Sequence, residues 1–443
     1  METLRDYLDF MRERGLLSVV KQKVAVTDIP PLIELLSDRG RVLHFANIDG
    51  YEGGVVANLV PSHDALRAVI GGDDPYARFL EGVKKTEKKV PVARQGLETV
   101  DVSNGELLSL LPVLKHCEKD SAPFITTGIV SAMDPDHHVA GRGIHRMEYR
   151  GGNRLGIALL NPPLSEIIEK CRARGERMRL AVTLGVDPLL FLSMALKVEP
   201  RTDKLEVAGG LKGHGVKTID SLDSGVDLPA GAEYYLEGYV DYADVRRDGP
   251  LGEIGGYYMT LRETPTFVVN TVSYRPSPLY HALLPIGAEG DVYLTFVSRA
   301  HIEESIKKLF PFIKDIIFVP KTFGSSAIVA IRPAERARVR NLIVSMLGFP
   351  MIKKVIVVDE DIDPYDMRDV EWAVVTRCIT DKDTIILSGM QGQPIDPQAE
   401  RGMGVAKIGF DATTQGKEID ERARVAAGRS EEIKKVMDAT GGA

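Results

Sequence analysis

Two short segments concentrate residue types suited to acid–base chemistry: Gly141–Arg146 (GRGIHR) and Asp248–Glu253 (DGPLGE). In the second, two carboxylates lie five positions apart, separated by Gly249-Pro250 and Leu251-Gly252. Glycine permits positive φ and close approach to a flat ligand, and proline fixes the turn. Such a loop can aim both acids at one point. An arginine between them, such as Arg146, would supply a planar five-donor fork that matches carboxylate geometry. A carboxylate pair sharing one cation can split its pKa values, leaving one member able to donate a proton. The same spacing is also compatible with a surface turn, and spacing alone names no reaction.

Other chemistry-bearing residues are sparse. Cys117, Cys171 and Cys378 are far apart and odd in number, so no disulfide framework is expected. Neither CxxC nor HExxH occurs. His137 and His138 stand beside Asp134 and Asp136 in MDPDHH. A metal site can be drawn there, but a solvated turn is the preferred reading.

The elements that must position these residues divide the chain into three expected parts: an N-terminal mixed α/β region (1–115), a β-rich domain (116–300) and a C-terminal α/β domain (301–443). In the first, Met1–Leu17 has apolar residues at helical spacing. Arg41–Ala46 and Gly53–Leu59 read as paired strands. Lys84, Lys85, Lys88 and Lys89 suggest a solvated, poorly packed link ending at Pro91. In the second, Phe124–Met133 reads as one strand. Ile144–Tyr149 and Leu155–Leu160 read as a hairpin, Leu164–Arg174 as a helix, and Tyr234–Val240 and Thr266–Ser273 as further strands. Short strands at this spacing suggest an antiparallel sheet or barrel. In the third, helices at Ile302–Phe310 and Ala334–Leu347 alternate with strands at Asp315–Val319, Ala327–Ile331, Lys354–Val358 and Thr384–Leu387. Ile419–Ala439 reads as a charged terminal helix.

Composition bounds the setting. The 443 residues are 44% hydrophobic and 27% charged, as in an ordinary multidomain globular protein. No run approaches the roughly 18 apolar residues of a membrane span. The start of the chain, METLRDYLDFMRERGLL, is charged throughout and lacks a signal-like apolar core, so a cytoplasmic location is expected. A net charge of −7 gives no reason to expect nucleic acid as a partner.

The motifs resemble those of the UbiD family of prenylated-flavin decarboxylases. Gly143–Met147 (GIHRM) is similar to the family's G-I-Y-R-M strand, and DGPLGEIGGYY to its E-G-P-F-G-E-x-x-G-Y-Y loop. LPAGAEYYLEGYV (Leu228–Val240), VIVVDEDIDPYDMRDVEWAVVTR (Val355–Arg377) and KIGFDAT (Lys407–Thr413) resemble further family segments, in chain order. The resemblance implies an α+β fold with a central split β-barrel flavin-binding domain, flanked by the N-terminal mixed region and the C-terminal α/β domain. It implies a homodimer or higher homo-oligomer, with a flavin prenyltransferase supplying the cofactor. It also implies a carboxy-lyase acting on an α,β-unsaturated or aromatic acid with prenylated FMN, in isoprenoid or quinone biosynthesis. Candidate substrates are trans-anhydromevalonate 5-phosphate and hydroxybenzoate-type acids. Carried onto this chain, Arg146 would hold the substrate carboxylate, Glu253 would be the proton donor, and Asp248 would be the second acid, one methylene shorter than the usual Glu. Gly143, Ile144, His145, Arg146, Asn161 and Lys217 would contact the cofactor. Tyr257 and Tyr258 are expected to pack behind the acidic loop.

The sequence departs from the family at the metal that anchors the flavin phosphate. Its Asn, His and Glu ligand positions fall on Gly141, Asn161 and, counting back from Pro229, Lys217; His214 lies three residues away. Glycine has no ligand and an ammonium repels cations. No Mn2+ or Mg2+ site is therefore expected, and the Lys217 ammonium would replace part of the metal's charge. Two other readings stay open on sequence alone: a non-catalytic interaction subunit, and a protein that binds flavin or another phosphorylated ligand without decarboxylating anything.

Overall fold

The structure, a computed structural model, describes residues 1–393, 396, 398, 399 and 404–415. The expected terminal helix Ile419–Ala439 lies outside them.

The N-terminal region begins with helix Leu4–Glu13, whose Thr3 cap accepts from the Asp6 amide while Asp6 accepts from the Thr3 amide. Its buried face, Leu4, Tyr7, Leu8 and Met11, follows the apolar spacing seen in the sequence. Strands Val42–Phe45 and Gly54–Ala57 pair antiparallel as expected. They sit in a four-stranded sheet with Leu17–Val20 and, from much later in the chain, Leu279–His281. Lys84, Lys85 and Lys88 are exposed, as expected, but the end of the lysine-rich segment is knitted in. Val90 and Pro91 pair with Lys217 and Thr218, and the Lys89 ammonium lies 2.8 Å from Asp203 and 2.9 Å from Asp227. Those two acids, distant in sequence, draw Lys89 inward.

The central part is a nine-stranded sheet in which every pairing is antiparallel. Its backbone is a long hairpin, Tyr234–Gly252 with Tyr258–Tyr274. The expected strand Phe124–Met133 is two, Phe124–Ile125 and Ile129–Met133. Between them Thr126 and Thr127 donate their hydroxyls to the Leu283 and His281 carbonyls at 2.7 and 2.8 Å. A Cβ on Gly128 would overlap the Met147 side chain, so the break is fixed by packing from distant segments. The Met147–Tyr149 and Arg154–Ile157 hairpin and helix Leu164–Ala173 stand where the sequence puts them.

Helix Ala288–Leu309 is more than twice the expected length and leads into the C-terminal layer. That layer is a five-stranded sheet ordered Ile313–Phe318, Ser326–Ile331, Lys354–Asp359, Val405–Ala412, Thr384–Met390. Its three central strands are parallel to one another and its two edge pairings antiparallel. The near-continuous apolar runs VIVV and SAIVAI fit strands covered on both faces. Among the described residues no helix is long and apolar enough to cross a membrane.

Candidate active site

The acidic segment is not a free loop. Asp248 to Gly252 form the end of the long strand, and Glu253 opens the turn, its amide bonded to the Tyr257 carbonyl at 2.9 Å. One extra residue is absorbed between the pairs Asp248↔Leu261 and Leu251↔Met259, a bulge centred on Gly249 at φ +91°. Only glycine adopts that conformation readily. The bulge lets Asp248 and Glu253 both reach Arg146.

Arg146 joins the two acids. Its Nη2 donates to Asp248 Oδ1 at 2.5 Å, and its Nη1 donates to Glu253 Oε1. The Asp248 side chain is fully buried, while Glu253 keeps 26% of its side chain exposed. Burial pushes the Asp248 carboxyl above its ordinary range, with Glu148 adding to the rise and Arg146 and Arg150 opposing it. Asp248 Oδ2 and Arg146 Nε are buried without a partner, so the trio retains one acceptor and one donor for a further group.

Two more buried acids hold the backbone of the acidic strand end. Asp120 accepts from the His116 amide at 3.1 Å, the Cys117 amide at 2.8 Å and, through its other oxygen, the Gly252 amide at 2.8 Å. Glu148 accepts from the Gly249 amide at 3.2 Å and from the Ser121 hydroxyl. The bulge is thus tied at both ends to residues from other strands and loops. Cys117 lies behind Gly252, where a Cβ would meet its Sγ at 2.6 Å, and burial pushes its thiol up to about 11. That thiol is a packing element.

A cavity of about 880 Å³ is lined by Gly141, Gly143, Ile144 and His145 on one side, Asn161–Pro163 on another, and the Met194–Thr202 segment with Lys204. Its size falls in the usual ligand-pocket range of roughly 300–1,000 Å³. His145 is the residue before Arg146, so cavity wall and trio are continuous in the chain. His145 Nδ1 donates to the Ala158 carbonyl at 2.7 Å. Burial, with Lys204 nearby, lowers its pKa, so the ring is neutral and Nε2 is an acceptor. A Cβ on Gly143 would stand 2.9 Å from that Nε2, which is why this position is glycine.

The sequence-expected cofactor residues Gly143, Ile144, His145 and Asn161 therefore meet at one cavity, and Arg146 follows His145 in the chain without lining it. Lys217 does not join them. Its ammonium is 58% exposed, 3.8 Å from Glu2, and lines a separate cleft with His214 and Lys212. The Lys217 expectation is corrected: its strand is anchored between Val90 and Pro229, facing the N-terminus. Tyr257 and Tyr258 are also not packed behind the strand end. Tyr257 sits on the hairpin turn and Tyr258 opens the return strand, 63% and 44% exposed, and the Tyr258 hydroxyl accepts from the Lys119 amide. The MDPDHH segment is a turn whose Asp134 and Asp136 pair with Lys170.

A divalent metal does not suit the positions the family uses. A Cβ at Gly141 would overlap Ile167 Cδ1 and lie 3.0 Å from Pro163 Cγ, so the place of a ligand side chain is filled by apolar atoms. Among the described residues no three His, Cys, Asp or Glu side chains gather as a metal site. A flavin suits the cavity by volume, and the polar lining at His145, Asn161 and Lys204 offers partners to a flat, polar-edged guest.

Sequence reasoning missed Asp120, Glu148 and Lys204. None carries a local signal: Asp120 reads as one charge in HCEKDS, Glu148 as one charge in a short strand, and Lys204 as the solvated start of a helix.

Comparison with known proteins gives a consistent result. Residues 84–288 match the 3-octaprenyl-4-hydroxybenzoate carboxy-lyase Rift-related domain, and residues 292–412 match the C-terminal domain of the same family. An anhydromevalonate phosphate decarboxylase of Methanosarcina mazei is 30% identical over 423 residues, covering 93% of this chain and 96% of its own. One from Methanothermobacter thermautotrophicus is 30% identical over 336 residues, covering 75% and 78%. The structure of the UbiD-class enzyme HmfF from Pelotomaculum thermopropionicum, in complex with FMN, superposes with a TM-score of 0.89 at 27% identity, covering 98% of this chain and 99% of that one. With both domains matched and relatives aligned along nearly the whole length, this chain belongs to the UbiD family of carboxy-lyases.

Proposed function

We propose that the chain decarboxylates a small α,β-unsaturated acid carrying a phosphate, with prenylated FMN held in the cavity beside Arg146. The observation that carries this reading is the single guanidinium bridging a buried acid and a partly exposed one, on the residue that follows His145 of the flavin-sized cavity's wall. The substrate class follows from the relatives at 30% identity, which are anhydromevalonate phosphate decarboxylases. The 3,4-dihydroxybenzoic acid decarboxylase of Klebsiella pneumoniae, at 20% identity, shares the fold alone.

Prenylated FMN, when bound, supplies the sink for the electron pair freed as CO2 leaves. The chain's own residues do the rest. Arg146 orients the substrate carboxylate through rearrangement of its two η contacts. Glu253, the more exposed acid, returns a proton to the carbon from which the C–C bond has broken and is then reprotonated from solvent. Asp248 fixes the guanidinium plane between the two acids. A flavin prenyltransferase in the same cell provides the cofactor, and the chain works as a homo-oligomer.

The experiment is purification after co-expression with a flavin prenyltransferase, followed by CO2 release assays. Turnover of trans-anhydromevalonate 5-phosphate, and not of hydroxybenzoates, is expected. A flavin-loaded protein that releases CO2 only from hydroxybenzoates would reverse the substrate assignment, and one that releases none from either would return the chain to a binding role.

A further inference from the structure

Lys204 is the unusual cation of the cavity. It opens helix Lys204–Lys212, is 8% exposed, and its Nζ donates to the Met194 carbonyl at 2.7 Å. An ammonium has three donors, so one bond leaves it short of partners. Among the described residues no carboxylate pairs with it.

The acid beside it is already spent. Asp203 takes Arg142 Nε and Nη2 at 2.7 and 3.1 Å and Lys89 at 2.8 Å. Asp227 takes Arg142 Nη2 at 2.7 Å and Lys89 at 2.9 Å. Two cations and two carboxylates close that cluster to zero net charge. Arg142 is thereby unavailable to a ligand, and Lys204 is left with an uncompensated charge facing the cavity. Lys170, another lining cation, is closed by Asp134 and Asp136, and Lys197 and Arg201 are exposed. Burial alone lowers the Lys204 pKa to about 8, the mark of a charge that lacks its counter-ion.

We infer that Lys204 binds a phosphate monoester, that of FMN, by its ammonium, in a cavity whose Gly141 side is packed by Ile167 and Pro163 and cannot seat a metal ligand. The inference rests on the reading of this cavity as the flavin site. A fixed ammonium next to a phosphate dianion satisfies both buried charges, where either alone is costly. No divalent ion is then needed between protein and phosphate, and one placed there would face Lys204 directly.

The test is titration of the purified, flavin-free protein with FMN and with riboflavin, followed by flavin fluorescence, in metal-free buffer with EDTA and again with added Mn2+. Wild type should prefer FMN to riboflavin, and neither EDTA nor Mn2+ should change that preference. Lys204→Met should weaken FMN by roughly 10- to 100-fold and leave riboflavin unchanged, and Lys204→Arg should keep most of the FMN affinity. Unchanged riboflavin binding shows that the variant is folded. Equal FMN affinity in Lys204→Met and wild type, or loss of wild-type FMN binding in EDTA, overturns the inference while leaving the flavin site standing. Failure of wild type to bind either flavin overturns both.

Discussion

Arg146, one residue beyond the cavity wall at His145, and Lys204, in the wall itself, are cations neutralised in opposite ways. Arg146 has two carboxylates of its own, from a strand end held by Asp120 and Glu148. Its charge is balanced within the protein, so the trio keeps its shape with nothing bound. Lys204 has a carbonyl oxygen and no acid, because the neighbouring Asp203 is given over to Arg142 and Lys89. Its charge is balanced only when an anion arrives. The reacting end is therefore preorganised, while the anchoring end is poised, and the chain can divide catalysis from cofactor retention between them.

The sharpest way to break that division is Glu253→Gln. The amide keeps the size of the side chain and can still meet Arg146, but it cannot deliver a proton. Turnover should fall by roughly 10²- to 10⁴-fold, the range for loss of a positioned acid. FMN affinity, set at the Lys204 side, should stay as in wild type. Near-normal CO2 release by this variant, measured in the reconstituted enzyme, would remove Glu253 from the protonating role and leave the trio a structural device.

How much of this was written locally in the sequence differs between the two regions. Arg146, Asp248 and Glu253 were legible because glycine and proline at fixed offsets mark a tight backbone around charged residues. Even there the strand end was read as a loop, since a bulge in a strand and a free turn share the same residue types. Lys204 was not legible. Its meaning depends on where Asp203 spends its charge, and that is decided by Arg142, Lys89 and Asp227, brought in from three other segments. The Lys217 expectation failed for the same reason: counting residues places a side chain along the chain, not across a cavity. In the C-terminal layer the strands Ser326–Ile331 and Lys354–Asp359, continuous apolar runs, were read nearly to the residue, while Val405–Ala412, interrupted by Lys407 and Asp411, was not read as a strand.

A second, smaller effect sharpens the comparison through pH. The folded pKa of Lys204, about 8, lies below the ordinary lysine value of 10.5 because of burial. Between those values the unfolded chain binds more protons than the folded one, so stability rises with pH across that window. Below pH 8 the whole cost of the buried ammonium is present, roughly 3 kcal/mol at most. Lys204→Met should therefore be more stable than wild type when flavin-free, by a margin largest below pH 8 that narrows toward pH 10.5. Saturating FMN should shrink or reverse the margin at neutral pH. Urea unfolding of both proteins across this range reads it directly, and a pH-independent margin would mean that Lys204 already has a counter-charge without ligand.

The smallest effect concerns what holds the reacting end still. Asp120 accepts three backbone amides, two from His116 and Cys117 and one from Gly252, the residue before Glu253. In Asp120→Asn one of the two oxygens becomes an NH2 group, which cannot accept from an amide. Whichever way the side chain turns, either the Gly252 bond or the His116 and Cys117 bonds are lost, and a donor faces a donor. A bond to a charged acceptor is worth about 1.5–3 kcal/mol, but solvent can reach the nearby turn and part of this is recovered, so a loss of stability of about 1 kcal/mol is expected. The larger consequence is geometric. Released at Gly252, Glu253 samples positions away from Arg146, and turnover should drop roughly tenfold through lost orientation. FMN affinity and its preference over riboflavin should not move, since no bond of Asp120 reaches the cavity lysine. If Asp120→Asn weakens FMN as much as it slows turnover, the two regions are mechanically one, and the contrast drawn between a preorganised end and a poised end fails.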